Sequence, residues 1–532
     1  MLYYDSKDES VYEFSFEYLG GKKMDKKFYI TTPIYYPSAN FHIGHCYSTI
    51  IADAIARYKR LDGYDVYFLT GSDEHGQKIE KKAIEQNITP KEYVDKIVEN
   101  AKDLWKILGI SYDRFIRTTD DDHVRIVQKI FTKLYEQGDI YKGEYKGLYC
   151  TPCEAFWTET QLVDGKCPDC GREVQVVSEE AYFLKLSKYQ KQLEEYIEAH
   201  PEFIEPESRK NEMINNFLKP GLDDLCVSRT SFKWGIPVTF DENHVIYVWL
   251  DALSNYITAL GYGEENDELY KKYWPADVHI VGKEIVRFHT IIWPIILMAL
   301  GEPLPKKVFG HGWLIIDGSK ISKSLGNYKD PREYIRSYGV DTIRYYCLKE
   351  IPFGSDGTFS EEALIGRINS DLANVWGNLV NRTIGMVNKY FDGTVENKKI
   401  VEDIDAPFIQ KIDELKRTCD EYVEDLQITK WIDEVFNLIR TSNKYIDDTT
   451  PWILAKDETK KERLETVLYN LLEAIRISNI LLRPIMIESC EKVINEINSK
   501  YNDFEHAKYI DNQKYEVTKT PEVIFKRIEL ED

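Results

Sequence analysis

A parallel α/β sheet split by an insertion and followed by an all-α helical bundle is the fold class that this sequence predicts. Three observations lead there. Strand-like and helix-like segments alternate from Phe28 onward, two close cysteine pairs interrupt the alternation, and beyond about residue 360 the pattern turns helical.

Residues 1–25 read as an N-terminal extension, because Gly20-Gly21-Lys22-Lys23 separates them from the strand at Phe28, and the functional start is expected near Met24. Phe28-Tyr29-Ile30-Thr31-Thr32 is that strand by its aromatic and β-branched content. A loop with Pro33 and Pro37 leads to a helix from His45 to Leu61, and Asp65 to Thr70 is a second strand. This is βαβ logic, so residues 26–116 form the first half of a parallel, Rossmann-type sheet with ligands at its strand C-termini. Residues 117–230, with the cysteine pairs, read as an insertion. Alternation resumes near Val245 and Val278, which makes residues 231–305 the second half and 306–360 a linking region. Residues 361–532 read as a helical bundle. Trp431, Val435, Leu438 and Ile439 fall at i, i+4, i+7, i+8, and Leu464, Leu468, Leu471, Leu472 and Ile475 extend that spacing.

Bulk properties narrow the partners. The formal net charge is −21, whereas proteins that bind nucleic acid without sequence preference are usually basic. Any RNA contact must therefore use local basic patches and shape. The apolar stretch Ile291 to Leu300 is about half a membrane span, and residues 1–10 are acidic and polar. No membrane association and a cytoplasmic location are expected. Nine cysteines, an odd number, argue against a disulfide framework.

Three motifs carry chemistry. His42-Ile43-Gly44-His45 comes after a strand and opens a helix. A helix N-terminus offers unpaired N–H groups to a phosphate, Gly44 lets the backbone come close, and two histidines can donate as charge moves. Lys320-Ile321-Ser322-Lys323-Ser324 comes after a strand expected from Trp313 to Ile316. Its two lysines suit the β- and γ-phosphates as pyrophosphate leaves. Taken singly, the first motif reads equally well as surface or capping histidines, and a solvated charged loop is the plainer alternative to the second. The third is Cys150-Thr151-Pro152-Cys153, thirteen residues, then Cys167-Pro168-Asp169-Cys170. Four thiolates on two such turns make one structural zinc site.

The first two motifs, in this order on one split sheet with an insertion between, resemble the class I aminoacyl-tRNA synthetase family. The first matches its HIGH signature throughout; the second matches KMSKS except at Ile321. Ile30-Thr31-Thr32-Pro33-Ile34-Tyr35-Tyr36-Pro37, Tyr247-Val248-Trp249-Leu250-Asp251-Ala252 and Val281 to His289 resemble the methionine-charging members, over nearly all of residues 26–520. The resemblance implies activation of L-methionine by ATP with Mg²⁺, then transfer to a methionine tRNA with a CAU anticodon, for translation including initiation. It implies catalytic roles for His42, His45, Lys320 and Lys323, and ATP contacts from these, Gly44, Glu284, Gly310 and Gly312. Ile34, Tyr36, Asp73, Trp249, Tyr256, Phe288 and His289 would line the methionine pocket. Asp73 would pair with the ammonium, and the Tyr256 hydroxyl would face the thioether, a weak acceptor that aromatic walls suit. Asn378, Arg382 and Trp452 would read the anticodon by polar contact and stacking. Many relatives carry a further C-terminal module that dimerises; this sequence ends at Asp532, and a monomer is expected. Rival readings are a synthetase for cysteine, leucine or valine, a small-molecule nucleotidylyltransferase, and a catalytically dead RNA-binding scaffold. The cysteine cluster away from the strand ends, an insertion too short for an editing domain, the helical C-terminal part and the intact histidines and lysines argue against them in turn.

Overall fold

The computed structural model describes residues 26–529, apart from 152, 154, 158, 169, 317–318, 321–328 and 353. The strand β1 (Lys27–Tyr35) is buried almost throughout, as a central parallel strand covered on both faces must be. The helix α1 (Ile43–Leu61) crosses from it to β2 (Asp65–Ser72), and β3 (Arg114–Arg117) comes next. The same sheet gains β4 (Ile204–Glu205), β5 (Val278–Gly282) and β6 (Val308–His311). Its order is β3-β2-β1-β5-β6-β4, with every pairing parallel. The chain leaves β1 toward β2 and returns at β5 on its other side. The β1/β5 boundary is therefore a topological switch point, where a crevice opens beyond the strand C-termini.

Residues 117–230 are not a self-contained insertion. Arg117 ends β3, and Ile204–Glu205 pairs with Val308–Phe309 at the sheet edge. A two-residue strand before Pro206 has no period to read. Between these points, Ile140–Cys150 pairs antiparallel with Gln175–Leu184, and the cysteines sit beyond the tip of that ladder. The strand before the lysine motif also differs from expectation. Leu314–Ile316 lies in a separate small sheet, antiparallel to Ser319–Lys320 and parallel to Gly357–Thr358, so the two motifs do not follow strands of one sheet. The reason is at Gly312. A Cβ there would lie 2.1 Å from the Ser355 carbonyl, so glycine lets the chain turn off β6 against the 355–358 segment.

The bundle's apolar spacing is a buried seam. Trp431, Val435, Leu438 and Ile439 are buried on the helix Ile428–Thr449, and Leu464, Leu468, Leu471, Leu472 and Ile475 on the helix Lys461–Leu482. A two-stranded ribbon, Thr394–Glu396 against Lys514–Glu516, interrupts the otherwise helical part. One buried ion pair joins the two parts. Asp53 of α1 accepts from Arg344 at 2.6 Å and Arg57 at 2.8 Å, and Arg344 also donates to the carbonyls of Leu108, Pro484 and Ile485. Burial raises the Asp53 pKa, but the two guanidiniums and Ser111 outweigh it and bring it to about 2. Among the described residues, no helix is long and apolar enough to cross a membrane.

Candidate active site

The histidine turn stands at the switch point. α1 begins at Ile43, two residues before the expected start, so His42 is the N-cap and His45 lies in the first turn. The Gly44 N–H donates to His42 Nδ1 at 3.1 Å, and the His42 N–H donates to His45 Nδ1 at 2.9 Å. A ring nitrogen that accepts a backbone N–H is unprotonated. Both imidazoles therefore carry their proton on Nε2 when neutral. Their centroids are 3.9 Å apart, and Phe41 stacks on His45 at 4.7 Å. Gly44 has a second reason beyond ligand approach, since a Cβ there would meet the His42 ring at 2.9 Å. The turn is a pair of mutually capped donors on a positive helix end.

Beside it stand groups from β5 and β6. Ser48 Oγ lies 2.7 Å from His311 Nε2, and His311 Nδ1 donates to the Gly312 carbonyl at 2.8 Å. The serine is thus the donor, and α1 is pinned to the end of β6. Burial holds the His311 pKa below its ordinary value, against the pull of the Gly312 carbonyl. Glu284 is exposed just past β5, and its carboxylate accepts from Trp313 Nε1 at 2.7 Å. Gly310 and Gly312 were expected to admit the adenine. Packing also requires these glycines, because a Cβ would meet Val286 at 2.5 Å at Gly310 and the Ser355–Asp356 backbone at Gly312.

The expected methionine wall assembles in large part. Ile34, Trp249, Tyr256 and Phe288 belong to one apolar cluster, and Trp249 stacks on Phe288 at 3.5 Å and 7°. Asp73 is nearly buried just past β2, its N–H donating to the Tyr35 carbonyl at 3.0 Å. His289 Nδ1 donates to the Ile285 carbonyl at 2.9 Å, which leaves Nε2 to accept from Tyr256 Oη at 2.7 Å. The Tyr256 proton therefore goes to His289, where the resemblance implied a donor toward the thioether. Burial lowers the His289 pKa to about 4, so the ring is neutral at pH 7. Tyr36 is partly buried against a different cluster. It packs on Ile79, Ala83, Tyr93 and Val94, with the Lys78 ammonium 5.4 Å over its ring.

Two further buried groupings support the site, and no motif announces them. Asp251 accepts from His75 Nδ1 and His123 Nε2, both at 2.7 Å, tying the segment of Asp73 to the helix of Trp249. Burial raises the Asp251 pKa, and the two imidazoles more than offset it. His279 of β5 shares a 2.7 Å bond with the Thr31 hydroxyl, its ring 4.2 Å from that of Tyr256. Asp251 and His279 lie in or beside segments that carry the family resemblance, but nothing in the sequence pairs them with their partners.

Cys150, Cys153, Cys167 and Cys170 place all four sulfurs within 4.8 Å of one another. The Cys150–Cys170 pair is 3.5 Å apart and the Cys153–Cys167 pair 3.9 Å. A regular tetrahedron of thiolates at a Zn–S distance of about 2.3 Å has edges of about 3.8 Å, so the donor set fits a zinc ion. Without a cation, burial and the neighbouring thiols push the Cys150 pKa up to about 12. A divalent cation reverses that preference.

Of the lysine motif, Lys320 is placed by its backbone, paired with Ile315; Ile321, Ser322, Lys323 and Ser324 lie outside the described residues, as do residues 1–25. In the helical part, Asn378 is exposed at the start of the helix Asn378–Phe391, and Arg382 lies one turn on. Arg382 reaches Asp447 of the helix Ile428–Thr449 at 3.4 Å, and Trp452, 41% exposed, lies just beyond that helix's end. The three occupy one end of the bundle.

Comparison with known proteins gives the family. The family model described as tRNA synthetases class I (M) matches residues 28–179 and 172–384, and the anticodon binding domain of methionyl tRNA ligase matches 396–532. The chain belongs to the class I tRNA synthetases. A methionine–tRNA ligase of Clostridium acetobutylicum is 61% identical over 508 residues, covering 95% of this chain and 79% of that protein. One of Bacillus subtilis is 55% identical over 482 residues, covering 88% and 73%. The Mycobacterium tuberculosis methionyl-tRNA synthetase in complex with methionyl-adenylate superposes with a TM-score of 0.91 at 40% identity, over 94% of this chain and 100% of that one. Within its class the chain is a member of the methionine–tRNA ligase family, an ATP-dependent ligase family.

Proposed function

We propose that this chain activates L-methionine with ATP and transfers it to the 3′ end of a methionine tRNA with a CAU anticodon. A carboxylate oxygen of methionine attacks the α-phosphorus, and the bond to pyrophosphate breaks. The 2′- or 3′-hydroxyl of the terminal adenosine then attacks the carbonyl of methionyl-adenylate, and AMP leaves. Asp73 holds the ammonium. Trp249 and Phe288 face the side chain, with Ile34 and the Tyr256–His289 pair behind. The Nε2–H groups of His42 and His45, with Lys320 and Lys323, stabilise charge that grows on the phosphates. Mg²⁺ comes with the ATP and neutralises phosphate charge. Glu284 holds the ribose, and Asn378, Arg382 and Trp452 read the anticodon.

The observation that supports this reading most is the placement of a mutually capped histidine turn beside a stacked aromatic wall and a buried carboxylate, all at one switch point. The methionyl-adenylate in the Mycobacterium tuberculosis structure is a ligand that such a site suits. The proposal extends to a structural Zn²⁺ on the four cysteines, a monomer, and work in the cytoplasm; metal analysis and light scattering check the first two. The test of the function is charging of a CAU-anticodon tRNA with each amino acid. Methionine should be incorporated and others should lag by at least about 100-fold in kcat/KM. Equal charging with another amino acid would overturn the reading.

A further inference from the structure

Between the cysteine knuckle and the methionine wall lies one cation. The Arg287 guanidinium sits 4.4 Å over the ring of Trp157, 5.2 Å over Phe217 and 4.7 Å over Phe288. Trp157 is buried in the same small cluster as Cys150 and Cys167, and its strand pairs with the strand that ends at Cys150. Phe217 comes from a second part of the region between the sheet halves, the segment Ile214–Leu218. Phe288 is the next residue in the chain and lies flat on Trp249. The contacts thus run from the cysteines through Trp157 to Arg287, then to Phe288 and Trp249. A guanidinium suits this place because its plane stacks on several aromatic faces at once, where an ammonium is a strongly hydrated point charge.

We propose that Arg287 is a positioning residue that couples the cysteine knuckle to the methionine wall. The inference rests on the reading of Trp249 and Phe288 as that wall. With its neighbouring rings in place, Arg287 fixes where Phe288 lies. Since Phe288 and Trp249 are parallel at 3.5 Å, neither can tilt without displacing the other. The knuckle then sets methionine affinity without touching methionine, and leaves the histidine turn alone.

The test compares the whole chain with Arg287→Met, Arg287→Lys, Trp157→Leu, the Arg287→Met/Trp157→Leu double variant, and Phe288→Ala. The readouts are methionine KM, ATP KM and kcat in pyrophosphate exchange, the change of tryptophan fluorescence as methionine is added, and bound zinc per chain. Arg287→Met is expected to raise methionine KM about fivefold to tenfold and to shift the fluorescence titration equally. Its kcat, ATP KM and zinc content should stay within about twofold of the parent. Arg287→Lys should recover only part of the loss. Trp157→Leu should resemble Arg287→Met, and the double variant should be no worse than either, because both remove one contact. Wild-type methionine KM in Arg287→Met, beside a raised KM in Phe288→Ala, would overturn the coupling alone. So would additive losses in the double variant. An unchanged methionine KM in Phe288→Ala would overturn the wall reading and this proposal with it.

Discussion

The histidine turn and the aromatic wall proposed to hold methionine both lie beyond strand C-termini of the central sheet, yet they are built in opposite ways. The turn is local. Residues 42 to 45 cap one another within a single helical start, and their proton positions are set by backbone N–H groups. The wall is assembled from β1, from the end of β2, and from the helices and loops that hold Trp249, Tyr256, Phe288 and His289. On the proposed reading, a local turn with fixed donors stabilises charge that exists only as pyrophosphate leaves, so damage there lowers kcat. A wall built by packing shapes the ground state as well, so damage there raises methionine KM. On that reading, rate and specificity are separable in this site.

The largest effect is expected at the lysine motif. Lys323→Ala should lower kcat for adenylate formation by about 10²–10³-fold and leave methionine KM within about twofold; equal changes in both would merge the two regions into one. Acid should act through the wall. The His289 pKa is about 4 in the fold against about 6.5 unfolded. A depressed value means that the unfolded chain takes the proton first. This stabilisation is complete above about pH 6.5, shrinks as pH falls, and is lost below about pH 4, roughly 3 kcal/mol in all. Melting curves from pH 7 to 4 should show a shallower decline for His289→Gln than for the parent; parallel declines would show that His289 carries none of the acid sensitivity. Tyr256→Phe deprives His289 Nε2 of its donor, which should raise methionine KM by about tenfold with kcat nearly unchanged. Ile321→Met, the change to the family's signature, should alter steady-state rates by less than about twofold.

Legibility in the sequence divides along the same line. His42, Gly44 and His45 were legible because their geometry is a matter of neighbours in the chain. The cysteine turns were legible for that reason, and the bundle because its period repeats in Trp431 to Ile439 and again in Leu464 to Ile475. Pairings between distant residues were not legible. Ser48 and His311 are 263 residues apart, and His75 and Asp251 are 176 apart. Buried polar groups find partners through the fold, and no spacing announces which. The same holds for Ile204–Glu205, too short for a pattern, and for the packing of Tyr36 against the cluster of Tyr93 and Val94. Nor does any spacing announce that protein atoms lie where a Cβ at Gly310 or Gly312 would stand.

The division is measured most directly by amino-acid-dependent pyrophosphate exchange, without tRNA, for the parent, Lys323→Ala and Trp249→Ala, against methionine and norleucine. The parent should prefer methionine. Lys323→Ala should be slow with both but keep that preference, and Trp249→Ala should lose it while retaining most of its rate at saturating amino acid. A Trp249→Ala variant that keeps the parent's preference, or a Lys323→Ala variant that loses it, would contradict the division of the site into phosphate-facing motifs that drive the reaction and a wall that chooses the substrate.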